Sequence, residues 1–109
     1  MLPKNNRLTK KKDFDAIFTG AKSIKNGFLV VKIRENNLQE SRFGFVVSKK
    51  ISNKATVRNT VKRRLRKAFE NLVKAMAPPK DVVIIALPGI QNWEFLDIQE
   101  AVVNILKKI

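Results

Sequence analysis

The 109 residues carry 23 Lys and Arg against 9 Asp and Glu, a formal charge of +14, with 44% hydrophobic side chains. That length and apolar share suit one domain over 1–109 with a modest core, and so unbalanced a charge is tolerated best beside a polyanion, nucleic acid first among them. The chain has no Cys and no His, which excludes disulfides, thiolate metal sites and histidine general bases, and with them most protein-based active sites.

In chain order, Phe14, Ile17 and Phe18 fall on one face of a short first helix, with Thr9 as its cap and Gly20 as its stop. A short strand is expected near Ala21–Lys25. Residues 28–34 and 42–48 are rich in β-branched and aromatic side chains, the mark of strands, and the polar link Glu35–Ser41 between them suits a hairpin. From about Ala55 to Met76 an apolar stripe (Val57, Val61, Leu65, Ala68, Phe69, Leu72, Met76) keeps helical periodicity until Pro78-Pro79 prevents continuation. Val82–Leu87 is an unbroken apolar run, expected of an interior strand covered on both faces, and Pro88-Gly89 ends it. Because it follows the long helix, this strand can pair parallel to an earlier one. A last helix is expected from about Trp93 to Lys108, capped by Asn92, with Phe95, Ile98, Val102, Ile105 and Leu106 facing inward and Trp93 serving as a packing residue. Glu94 in its first turn and Lys107 and Lys108 in its last suit the helix dipole.

No run approaches the roughly 18 to 20 apolar residues of a membrane-spanning helix, and no signal-peptide pattern opens the chain, so a cytoplasmic protein without a membrane partner is expected. The element order reads as an α+β sandwich with a mixed sheet packed against helices.

Charge is concentrated in the first two-thirds. Residues 1–69 sum to +15 and residues 70–109 to −1, and between Glu40 and Glu70 there are ten Lys or Arg and no acid. On the long helix Asn59, Lys62, Arg63, Arg66 and Lys67 fan across the side opposite the apolar stripe, with Arg58 one turn before Lys62. A solvated basic face is the bland explanation. Against it, cations in a first helical turn oppose the dipole, and like charges four residues apart repel by a few tenths of a kcal/mol each. Such placement suits a bound anion, which helix N-termini attract.

The run Arg58-Asn59-Thr60-Val61-Lys62-Arg63-Arg64-Leu65-Arg66 resembles the Arg-Asn-x-x-Lys-Arg-x-x-Arg signature of the bacterial ribonuclease P protein family. Val47-Ser48-Lys49-Lys50 before it, and Arg7-Leu8 with Asp13-Phe14 and Phe18, are similar to that family's pattern too. The resemblance implies an α-β-β-β-α-β-α order with a left-handed crossover, against the usual preference. It also implies a protein subunit that assists a catalytic RNA in endonucleolytic removal of the 5′ leader of precursor tRNA. The partners would then be ribonuclease P RNA and precursor tRNA, with Mg2+ used by the RNA subunit and no cofactor held by the protein alone. Carried across by residue, Arg58, Asn59, Lys62, Arg63 and Arg66 would face the catalytic RNA, with Lys49 and Lys50 bordering them. The leader groove would draw on Phe14 and Phe18 of the first helix and on Val31 and Val46 of the sheet. Some family members have an aromatic where Val31 stands and a small polar residue where Val46 stands.

The residues agree with an accessory role and no catalytic group of the chain's own. Asp13 and Asp15 diverge on their helix, Glu35 and Glu40 flank a link, and the remaining acids lie in the less basic third, whereas a protein nuclease needs converging carboxylates or a His pair. Phe14 and Phe18 have the alternative of plain core packing. Two other classes stay open on these grounds: a ribosomal-type rRNA-binding protein without a role in cleavage, and a DNA-binding regulator, for which no short helix precedes the long one as a helix-turn-helix requires.

Overall fold

A computed structural model describes residues 7–8, 11–20, 22–36, 38–70 and 79–108. The elements are α1 (Lys11–Gly20), β1 (Lys22–Asn26), β2 (Leu29–Glu35), β3 (Arg42–Val46), α2 (Ala55–Glu70), β4 (Lys80–Ala86) and α3 (Phe95–Leu106), with a 3-10 turn at Ile90–Asn92 before α3. The sheet runs in the order β1-β2-β4-β3, antiparallel except for β3 and β4, which pair parallel across the α2 crossover. This is the mixed α+β architecture expected, with β4 in the interior.

The hairpin expected between residues 28–34 and 42–48 does not form, because β4 inserts between β2 and β3. Val82, Val83 and Ile84 are all buried, and only an interior position covers both faces of so apolar a strand. The hairpin instead joins β1 to β2 through the short turn Gly27-Phe28, where Asn26 partners Leu29 and Gly27 adopts φ 57°. A Cβ at Gly27 would stand 2.8 Å from the Trp93 ring, and Phe28 meets that ring edge-on at 5.3 Å between centroids. Trp93 is thus the packing residue expected, closing one end of the sheet.

Period-two alternation sorts the strands onto two faces. Ile24, Leu29, Val31, Ile33, Phe43, Val82 and Ile84 face α2 and α3 and form the main core with Val61, Leu65 and Phe69 of α2 and Ile98, Val102 and Ile105 of α3. Phe69 anchors α2 against β3, at 6.3 Å from the Phe43 ring and 6.2 Å from Phe45. The opposite face is covered in part by α1, where Leu8, Ile17 and Val83 are buried and Phe14, Val46 and Ile85 pack beside them. The parallel pair is pinned at its start by Asp81, 1% exposed, which accepts hydrogen bonds from Arg42 Nε at 2.8 Å, Arg42 Nη2 at 2.6 Å and Asn36 Nδ2 at 2.9 Å. A buried carboxylate is tolerable only with such partners.

Helix ends differ in part from expectation. Thr9, Ala21 and the 71–76 extension of α2 lie outside the described residues, as does the Leu106 side chain. The cap of α3 is Glu94 and not Asn92, which belongs to the 3-10 turn. The Glu94 amide donates to Asp97 Oδ2 at 2.9 Å, half of a reciprocal capping box that neutralises free helix-end amides.

Candidate nucleic-acid interface

The chain between β3 and α2 is built by its own hydroxyls. Ser48 Oγ accepts from the Lys50 amide at 3.3 Å, the Ser48 carbonyl from the Ile51 amide at 3.1 Å, and Ser52 Oγ from the Lys54 amide at 3.1 Å. Buried Ile51 holds this turn to the core, so Lys49 and Lys50 project from a fixed base. Arg58 reaches back to donate from Nη1 to the Ser52 carbonyl at 2.8 Å. Its guanidinium is half-buried, and it ties the turn to the helix as well as adding charge there.

Val61, Leu65 and Phe69 bury one side of α2. With about 100° per residue, Lys62, Arg66, Asn59 and Arg63 then occupy a continuous arc on the other side, and Lys67 extends it. Asn59, Lys62, Arg63, Arg66 and Lys67 line one open depression, with Glu70 as its single acid among the described residues. Arg63 Nη2 donates to Thr60 Oγ1 at 3.3 Å, and Lys67 Nζ lies 5.5 Å from the centroid of the Phe95 ring. The structure therefore brings the expected motif residues of α2 onto one surface, with Arg58 at its inner margin and Lys49 and Lys50 in the turn that precedes it. Arg64 stands apart, donating from Nη1 to the Trp93 carbonyl at 2.8 Å and locking α2 to the segment before α3.

The second candidate surface lies on the α1 face of the sheet. Phe14 and Phe18 are separated by burial: Phe14 is half-buried, while Phe18 is 43% exposed. A Cβ on Gly44 would stand 2.6 Å from the Phe14 ring, so α1 rests closely on β3 because position 44 has no side chain. Val46 is half-buried on this same face. Val31 is not: it is 1% exposed, in the main core, pointing to the opposite side of the sheet. The β2 residues on the α1 face are its neighbours Val30 and Lys32, and Lys32 Nζ lies 6.0 Å from the Phe18 ring centroid. The signal was present in the Leu29-Val30-Val31-Lys32-Ile33 alternation, since Leu29, Val31 and Ile33 share one face and the single cation must take the other. Register then places Lys25, Val30, Ile85 and Val46 in one row across the strands, ending near the turn that carries Lys49.

Both surfaces present cations and apolar or aromatic faces, the combination that takes phosphates and stacked bases. Among the described residues no group of three or more Asp or Glu converges to hold a metal ion, and no helix is long and apolar enough to cross a membrane.

The family pattern described as Ribonuclease P matches residues 2–109. The chain is 38% identical to the ribonuclease P protein component of Streptococcus thermophilus strain LMD-9, over 97% of this chain and 94% of that protein. It is 32% identical to that of Alkaliphilus metalliredigens, over 96% and 94%. Among solved structures, the Staphylococcus aureus RNase P protein superposes with a TM-score of 0.85 at 32% identity, covering 94% of each chain. The Thermotoga maritima RNase P protein, solved with 1-(4-fluorophenyl)-2-thiourea, gives 0.83 at 36% identity over 94% of this chain and 99% of that one.

Proposed function

The chain belongs to the bacterial ribonuclease P protein family, protein subunits of a ribonucleoprotein endoribonuclease, and on that footing we propose that it docks to the catalytic RNA through α2 and holds the 5′ leader of precursor tRNA in the groove beneath α1. The observation that carries this reading is the α2 arc: Asn59, Lys62, Arg63 and Arg66 on the exposed side of a helix whose other side is locked into the core. A rigid helix presents its cations at fixed spacing, so phosphates meet them with little ordering cost.

In the groove, the exposed surface of the Phe18 ring offers a place for a base to stack without sequence preference, beside the apolar floor of Val30, Ile85 and Val46. Lys32 and Lys25 stand on the same face to meet the backbone. An accessory that must accept many leader sequences needs stacking and charge, not base-edge hydrogen bonds. The groove row runs toward Lys49 and α2, so a leader lying in it would pass directly to the RNA-facing surface.

Hydrolysis on this reading belongs to the RNA, with Mg2+ held among its phosphates. The protein lowers the magnesium requirement by supplying fixed cations near them. The chain offers neither a histidine nor, among its described residues, converging carboxylates, and no step is assigned to its side chains. The place of work proposed is the cytoplasm. A ribosomal role, open on composition alone, has no observation favouring it.

The test is reconstitution with a bacterial ribonuclease P RNA at low magnesium. Cleavage of precursor tRNA should be faster with the protein than with RNA alone, and the protein by itself should not cut. Unchanged cleavage on adding protein would overturn the proposal.

A further inference from the structure

A second basic surface lies at the β1 corner of the sheet, at the opposite edge from β3 and the turn leading into α2. Lys22, Arg34 and Lys80 line an open depression of about 210 Å3 together with Ile33 and Glu35. Register builds it: Lys22 stands opposite Ile33 across β1 and β2, and Lys80 opposite Glu35 across β2 and β4. Lys22 Nζ also donates to the Lys108 carbonyl at 3.2 Å, which brings the end of α3, with exposed Lys107 and Lys108, to the same corner.

Among the described residues Glu35 is the only acid lining the depression. Asp81, the register partner of Arg34, is already engaged by Arg42 and Asn36. A lysine on an edge strand such as β1 discourages unwanted strand pairing, and a lysine at a helix C-terminus satisfies its carbonyls. Those two effects account for Lys22. They do not account for Arg34 or for Lys80 on an interior strand, nor for the gathering of all three around one concavity. Clustered like charges raise the energy of the free protein, and an anion at the centre relieves it.

We propose that this corner binds RNA phosphates in the assembled particle, as a contact separate from α2 and from the α1 groove. The inference rests on the reading of the chain as an RNA-binding subunit. The phosphates have two possible sources, the catalytic RNA and precursor tRNA, and measurement on each distinguishes them.

The test combines Lys22→Gln, Arg34→Gln and Lys80→Gln in one full-length protein, with a thermal melt to confirm folding. Its affinity is measured against salt for the catalytic RNA, and the affinity of the reconstituted particle for precursor tRNA likewise. Loss of three phosphate contacts should make one of the two log-log slopes shallower by about 2. As a local readout, and because the chain has no Cys, Glu35→Cys offers a single attachment point for an iron chelate whose hydroxyl radicals should cut the contacting RNA nearby. Unchanged slopes in both titrations, or cuts in neither RNA, would overturn the proposal, the second result pointing to a protein partner at this corner. An Arg63→Gln, Arg66→Gln protein measured alongside tests α2 separately, so the failure of one surface is not read as failure of the other.

Discussion

The ammonium of Lys32 lies 6.0 Å from the centre of the Phe18 ring, so a cation and an exposed aromatic from different elements share one side of the sheet. Phe18 is 43% exposed, which leaves ring surface for a ligand. Phe18→Ala should weaken binding of precursor tRNA with several leader nucleotides by about 1 to 3 kcal/mol and leave binding of mature tRNA nearly unchanged. Its cost to folding should stay well below that of a core truncation. Paired equilibrium titrations with a thermal melt decide this. Equal losses for both RNAs, with a large drop in melting temperature, would show that the ring serves packing instead.

Val31 and Lys32 should respond oppositely to substitution. Val31→Ala opens a hole in the main core and should cost about 2 kcal/mol of stability, lowering every activity together. Lys32→Ala should melt near the parent temperature and lose affinity only for substrates with a leader. Urea denaturation beside leader-dependent binding checks both, and the reverse pattern would contradict the strand register described above.

That register marks where the sequence was legible and where it was not. Helix α2 could be read directly, because Val57, Val61, Leu65 and Phe69 repeat at helical spacing and the cations fall between them. The interior position of β4 was legible from its unbroken apolar run. The pairing of β2 was not, since the choice between β3 and β4 as neighbour is made by contacts distant in the chain, and a polar link such as Glu35–Ser41 is equally compatible with a crossing to another layer. Val31, which the family resemblance places in the groove, lies in the main core instead, and the Leu29-Val30-Val31 run has no internal contrast to show its face. Only Lys32 beyond it sets the alternation. The tie from Arg58 to the Ser52 carbonyl could not be seen in a motif that assigns Arg58 to the catalytic RNA.

The Arg42–Asp81 pair should show an asymmetry. Asp81 is 2% exposed at its side chain and Arg42 23%. Arg42→Met leaves a buried carboxylate with Asn36 as its remaining side-chain partner and should cost about 3 kcal/mol or more. Asp81→Asn leaves a cation that still reaches water, and should cost less. Chemical denaturation of the two variants tests the order, and an equal or reversed cost would show that the pair does not pin β3 to β4.

The turn between β3 and α2 should matter through shape as much as charge. Ser52→Ala removes the hydroxyl that accepts the Lys54 amide at 3.1 Å and should cost about 1 kcal/mol of stability, with a modest loss of RNA affinity although no charge changes. Unaltered melting would show that the turn is held by Ile51 and the Arg58 tie without it.

The central claim, that the exposed arc of α2 carries the contact with the catalytic RNA, is tested most directly by the salt dependence of binding. With about five cations at phosphates, log affinity should fall against log salt with a slope near −4. Replacing Lys62, Arg63 and Arg66 with Gln should bring that slope to about −2 while the protein stays folded. A slope that the three replacements leave unchanged would contradict the account.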